Sequence, residues 1–111
     1  TAGTNGTDNG VFKSHAIVAG LVTFDDVDTY AAAISVNDNN LADAIGYLNN
    51  AVSTSGDTVI FNFDSNGDGT NESTIVFQQN GATDTVIELA GITGVSVTAT
   101  NATTAGLIDI A

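Results

Sequence analysis

From residue 56 onward the chain repeats one local pattern, in which a short run alternates apolar with polar residues and a turn of Gly, Asn and Asp follows. Thr58 to Phe63 sets Val59, Phe61 and Phe63 on one face and Ile60 on the other. Thr74 to Gln78 pairs Ile75 with Phe77, and after the Asn80-Gly81 turn Thr85 to Leu89 pairs Ile87 with Leu89. Successive side chains of an extended chain point to opposite faces, so a period of two predicts strands with one face turned to a core. Val95 and Val97 predict a further strand, and Leu107 to Ile110 a last one. Proline is absent, so no run is demoted to a sheet edge on that ground.

The first half reads differently. Residues 1–10, TAGTNGTDNG, offer almost nothing to bury and predict a flexible arm or linker. Val11 to Phe24 is apolar and β-branched, predicting two short strands around Gly20 with Val22 and Phe24 on one face. Tyr30 to Ile34 fits strand or helix equally. Residues 37–52 predict a helix: Leu41, Ala44, Ile45, Leu48 and Val52 recur at spacings of three and four, and Asn37 or Asp38 can cap its start. The expected fold is α+β, an antiparallel β-sheet of about five to seven strands with one main helix, and residues 11–111 form a single β-rich domain.

A hydrophobic fraction of 42% and a mean hydropathy of +0.19 are ample for one core. No apolar run approaches the roughly 18 residues that cross a bilayer, which argues against membrane insertion. Thirteen acidic residues face one cation, Lys13, for a net charge of -12. Such a surface repels nucleic acid and anionic membranes, and its self-repulsion would be relieved by divalent cations. There is no cysteine to form a disulfide or a thiol site, and without methionine the sequence reads as a mature or partial chain.

One stretch carries chemistry. Asp64-Ser65-Asn66-Gly67-Asp68-Gly69-Thr70-Asn71-Glu72 places side-chain oxygens at positions 1, 3, 5 and 9 of a loop, glycine at position 6, and a free carbonyl at Thr70. A short loop so built supplies a hard cation with oxygen ligands at about 2.3–2.6 Å, and its flexibility suits calcium over magnesium. The candidate calcium ligands are Asp64, Asn66, Asp68 and Glu72 through side chains and Thr70 through its carbonyl. An EF-hand would need Glu at position 12 and flanking helices; position 12 is Ile75 and both flanks read as strands. The loop resembles the β-hairpin calcium loop of integrin-type propeller repeats, where an acid at position 9 closes the site.

Other polar groups are less specific. Asp25, Asp26 and Asp28 form a second acidic cluster that reads as a solvated turn, and Asp8, Asp57 and Asp84 read as turn residues. His15 is the only histidine, and neighbouring Ser14 would point away from it on a strand, so no nucleophile-base pair forms. With no tryptophan and two tyrosines, the chain also lacks the usual sugar platform of a glycosidase. The expectation is a protein that is not an enzyme.

The C-terminal half, with its strand–DxNxDG–strand unit, the VFQ after it, DTVIELAGITG and a closing LIDIA, resembles C-terminal domains of large bacterial surface and matrix proteins exported by type I secretion. These include surface-layer proteins and adhesins, and many carry glycine-aspartate calcium repeats upstream; such repeats are absent here. The resemblance implies an extracellular or cell-surface location and an export signal at Leu107–Ala111. The expected function is a calcium-stabilised structural domain that self-associates with copies of itself into a layer, fibre or matrix. The alternatives are a calcium-dependent adhesin or carbohydrate-binding module that takes a cell-surface glycan, and a pilus-like subunit that assembles by strand donation.

Overall fold

Alternating runs become strands where burial rewards them on one face or both. The computed structural model describes residues 3–81 and 84–94. The elements are β1 (Thr4–Asn9), β2 (Phe12–Val18), β3 (Leu21–Asp25), α1 (Leu41–Ala51), β4 (Thr58–Phe63), β5 (Ser73–Gln78) and β6 (Thr85–Leu89). The six strands make one sheet in sequence order. All neighbours are antiparallel except β3 and β4, which meet in parallel at Leu21 and Ile60. Parallel neighbours need a long crossover, and residues 26–57 provide it with α1 inside. The fold is therefore α+β, a mostly antiparallel sheet with one helix. The strands expected at Val95–Val97 and Leu107–Ile110 lie outside the described residues.

The alternation within β4 sorts its side chains as the pattern predicts. Val59, Phe61 and Phe63 join Ile75 and Phe77 of β5 in the main core, with Ala44, Tyr47 and Leu48 of α1. Ile60 and Val76 are buried on the opposite face, where Leu21 and Leu89 pack against them. Phe24 sits at the aromatic centre, with ring centroids 4.9 Å from Phe12, 5.4 Å from Phe61 and 5.8 Å from Tyr47. Each such side chain contributes about 1.5–3 kcal/mol through removal from water.

Residues 4–9 correct the expected flexible arm. They form β1, an edge strand paired with β2 through Thr4–His15 and Asn5–Ser14. β1 carries no apolar side chain, so it cannot be held by burial of its own groups. It is held by close approach: a Cβ at Gly6 would overlap the Tyr47 hydroxyl, and a Cβ at Gly46 would overlap the Asn9 amide. Two missing side chains let backbone lie directly on helix. Residues 12–18 and 21–25 also pair with each other inside this chain.

The helix starts at Leu41, the first residue of the apolar stripe, and later than the expected residue 37. Asn37 Oδ1 accepts from Asn39 N at 3.0 Å, and Asn40 Oδ1 reaches back to Asn37 N at 2.8 Å. These bonds hold residues 37–40 in a turn, because short amide side chains compete with helical backbone bonding. Asn40 is the N-cap residue, and neither Asn37 nor Asp38 takes that place. Tyr47, outside the expected stripe, is fully buried. No helix among the described residues is long and apolar enough to cross a membrane.

The segment leading to α1 positions the loop of interest. Ile34 bridges Phe24 of β3, with Ile34 N donating to Phe24 O at 2.8 Å. Asn37 then bridges Asp64, with Asp64 N donating to Val36 O at 2.8 Å. Asp64 is thereby fixed at the end of β4.

Candidate metal centre

The β4–β5 hairpin closes where Glu72 N donates to Phe63 O at 3.1 Å, and residues 64–72 form the turn between. Gly67 and Gly69 have φ of 74° and 90°, which a residue with a Cβ adopts only at a cost. Those two left-handed positions turn successive amides inward. Asp64 Oδ1 accepts from Gly67 N at 2.9 Å and Asp68 N at 3.2 Å, and Oδ2 accepts from Gly69 N at 2.8 Å. Glu72 Oε1 accepts from Ser65 N at 3.0 Å and from Ser65 Oγ at 3.3 Å.

This folding brings the carboxylates of Asp64, Asp68 and Glu72 together, with one oxygen of each within 4.8 Å of the others. Asp64 is buried, Glu72 half-buried and Asp68 exposed. Burial pushes the Asp64 carboxyl up, but the amides of Gly69, Gly67 and Asp68 outweigh it and hold the group below the usual range. Glu72 is pushed up by burial, by a side-chain hydrogen bond with Asp68, and by the charges of Asp68 and Asp64. The cluster is thus a place where negative charge is in excess.

The donor set fits a divalent cation. All three groups are hard oxygens, and a carboxylate oxygen that accepts one amide retains a second lone pair. These three residues could hold a metal ion. Asn66 and Thr70, the other two expected ligands, lie in the same turn but serve its scaffold: Asn66 Oδ1 accepts from Asp68 N at 3.1 Å, and Thr70 N donates to Asp68 Oδ1 at 2.9 Å.

The second acidic cluster does not converge. Asp25 is buried and accepts from Ala31 N at 2.6 Å, Asp26 N at 2.7 Å and Ala32 N at 2.9 Å, so its charge organises the following loop. The amides of Ala31 and Ala32 hold its carboxyl below the usual range. Asp26 and Asp28 are exposed, and among the described residues no acidic group other than Asp64, Asp68 and Glu72 has metal-holding geometry. Of the other acids expected in turns, Asp84 accepts from Asn80 N at 3.0 Å, Asp8 lies within β1, and Asp57 Oδ1 is buried with no partner among the described residues.

His15 was legible only as a lone histidine. Its Nδ1 lies 2.7 Å from the Tyr47 hydroxyl, and the two rings meet edge-on. Burial lowers the His15 pKa, and burial with the Asp8 charge pushes Tyr47 up to about 12. The pair joins β2 to α1, with Gly6 of β1 against the Tyr47 hydroxyl. No family model matches the chain, and no curated protein or solved structure matches it either.

Proposed function

We propose that this chain is an extracellular, calcium-stabilised structural domain that associates with copies of itself into a layer, fibre or matrix, and that it is not an enzyme. The observation that carries the reading is the convergence of Asp64, Asp68 and Glu72 in a chain with a single lysine. Three carboxylates crowd together with no cationic side chain to balance them, and calcium supplies that charge. Asp64 and Glu72 are the fixed ligands, held by backbone amides and by Ser65, and Asp68 closes from the solvent side. Thr70 and Asn66 complete the shell through oxygen atoms of the same turn.

Calcium acts on assembly through charge. Subunits of net charge -12 repel one another, and bound divalent ions lower that repulsion. Among the described residues β1 and β6 are the two edges of the sheet, and edge strands carry unpaired backbone groups that add copies. Sedimentation and electron microscopy of the chain in calcium, then in chelator, test this. Sheets or filaments that dissolve on chelation are the expected result. A monomer in both conditions would refute the assembly half of the proposal.

A further inference from the structure

Four times the chain sets glycine directly after asparagine: Asn5–Gly6, Asn9–Gly10, Asn66–Gly67 and Asn80–Gly81. In such a pair the glycine amide nitrogen is one ring closure away from the asparagine side-chain carbonyl, and no Cβ obstructs its approach. The attack closes a succinimide ring and expels ammonia. Which pair reacts depends on what holds its two groups.

The pair in the 64–72 turn is held for this reaction. Gly67 N donates to Asp64 Oδ1 at 2.9 Å, so an acceptor for the proton it must lose stands within hydrogen-bond reach. Asn66 Oδ1 accepts from Asp68 N at 3.1 Å, so a backbone donor faces the oxygen on which negative charge develops. Asn66 is exposed, and its Nδ2 donates to nothing among the described residues, which leaves the departing nitrogen free.

The other three pairs are held against it. Asn80 is arranged in reverse: its Nδ2 donates to Thr85 Oγ1 at 2.7 Å, and its Oδ1 is buried with no donor. Asn9 Nδ2 occupies the place where a Cβ on Gly46 would lie, and Gly10 sits against the Asp43 carboxylate. Asn5–Gly6 runs within β1, where Gly6 is pressed on the Tyr47 hydroxyl.

We propose that Asn66 is a self-modification site, at which the Gly67 amide displaces ammonia and water then opens the ring to aspartate or isoaspartate. The bond formed joins Gly67 N to Asn66 Cγ, and the bond broken is Asn66 Cγ–Nδ2. The amide proton passes towards Asp64 and returns to the departing nitrogen, which leaves as ammonia. Water that cleaves the ring at Cγ restores the ordinary main chain and gives aspartate. Water that cleaves it at the main-chain carbonyl routes the chain through Cβ and gives isoaspartate.

The consequence rests on the calcium reading. Aspartate keeps an oxygen for the Asp68 amide and adds a carboxylate to those of Asp64, Asp68 and Glu72, and affinity rises with ligand charge. Isoaspartate lengthens the main chain between Asp64 and Asp68 and takes those two ligands out of register.

The test is to age the folded chain in mildly alkaline buffer with chelator, reading ammonia release and peptide mass maps, with isoaspartyl methylation to separate the products. Asn66 should convert at least about tenfold faster than Asn5, Asn9 or Asn80, a modest share of what one oxyanion donor contributes. In urea the four pairs should convert at similar rates. Asn66→Gln, whose longer side chain closes the ring poorly, should release no ammonia from this turn. Conversion of Asn66 no faster than that of the other three in the folded chain, or a lead that persists in urea, would overturn the proposal. Because ageing runs in chelator, its outcome is independent of the metal. Calorimetric titration should then show tighter calcium binding by Asn66→Asp than by the parent chain. No calcium binding by either removes the metal and leaves the modification standing, whereas calcium binding with an inert Asn66 sinks the modification alone.

Discussion

At the scale of single residues, what decides this structure is which polar groups are enclosed and what they meet. Phe24 is the aromatic hub of the core, and Phe24→Ala should cost about 3–5 kcal/mol in chemical denaturation, the range for a large aromatic removed from a packed site. His15 gives the fold a pH dependence of its own. Its folded pKa lies below the ordinary 6.5, so the unfolded chain binds the extra proton first. Stability is therefore fully present above pH 6.5 and falls as the pH drops from there toward the lowered folded value. His15→Gln should flatten the stability profile across that window, as read from denaturation midpoints at successive pH values. The sequence showed His15 as a solitary ring; its partner, Tyr47, lies 32 positions away and only the tertiary fold joins them.

At the scale of elements, strands were legible and approach was not. Thr58–Phe63 and Thr85–Leu89 form where the alternation places them, but burial does not follow it in both: β4 is buried on both faces, whereas Val86 and Ile87 of β6 are exposed. The helix was legible in its apolar stripe but not in its first turn, where Asn37 and Asn40 bond locally. β1 escaped because its composition describes only its own side chains, and it is stabilised by what Gly6 and Gly46 leave out. Gly6→Val should push β1 away from Tyr47, at about 1–3 kcal/mol, the range for overpacking. Hydrogen exchange should then rise at β1 and at its β2 partners while β4 and β5 stay protected. The parallel contact of β3 with β4 depends on a crossover of the whole middle of the chain, which no local pattern encodes. The three carboxylates of the candidate metal turn, by contrast, were legible because they lie close together in the chain, whereas the bonds that Asn66 and Thr70 make within the turn were not.

At the scale of the whole molecule, excess negative charge is the dominant fact, and two responses to added ions can be told apart. Screening depends on ionic strength alone, whereas a site saturates. Calcium at tenfold above its dissociation constant should stabilise the fold by about 1.4 kcal/mol, and raise the thermal midpoint by several degrees in a domain of this size. Sodium chloride at matched ionic strength should give a smaller, unsaturating rise. Asp64→Asn removes a charge that backbone amides hold in place, and should abolish the saturable part of the calcium effect while leaving the salt response.

Isothermal titration of calcium into the chain and into its Asp64→Asn variant addresses the cation-holding turn most directly. The parent chain should take up one ion with a dissociation constant of about 10⁻⁴–10⁻³ M, as expected for an exposed extracellular loop, and the variant none. An identical isotherm for both, or no saturable binding to either, would contradict the role assigned to Asp64, Asp68 and Glu72.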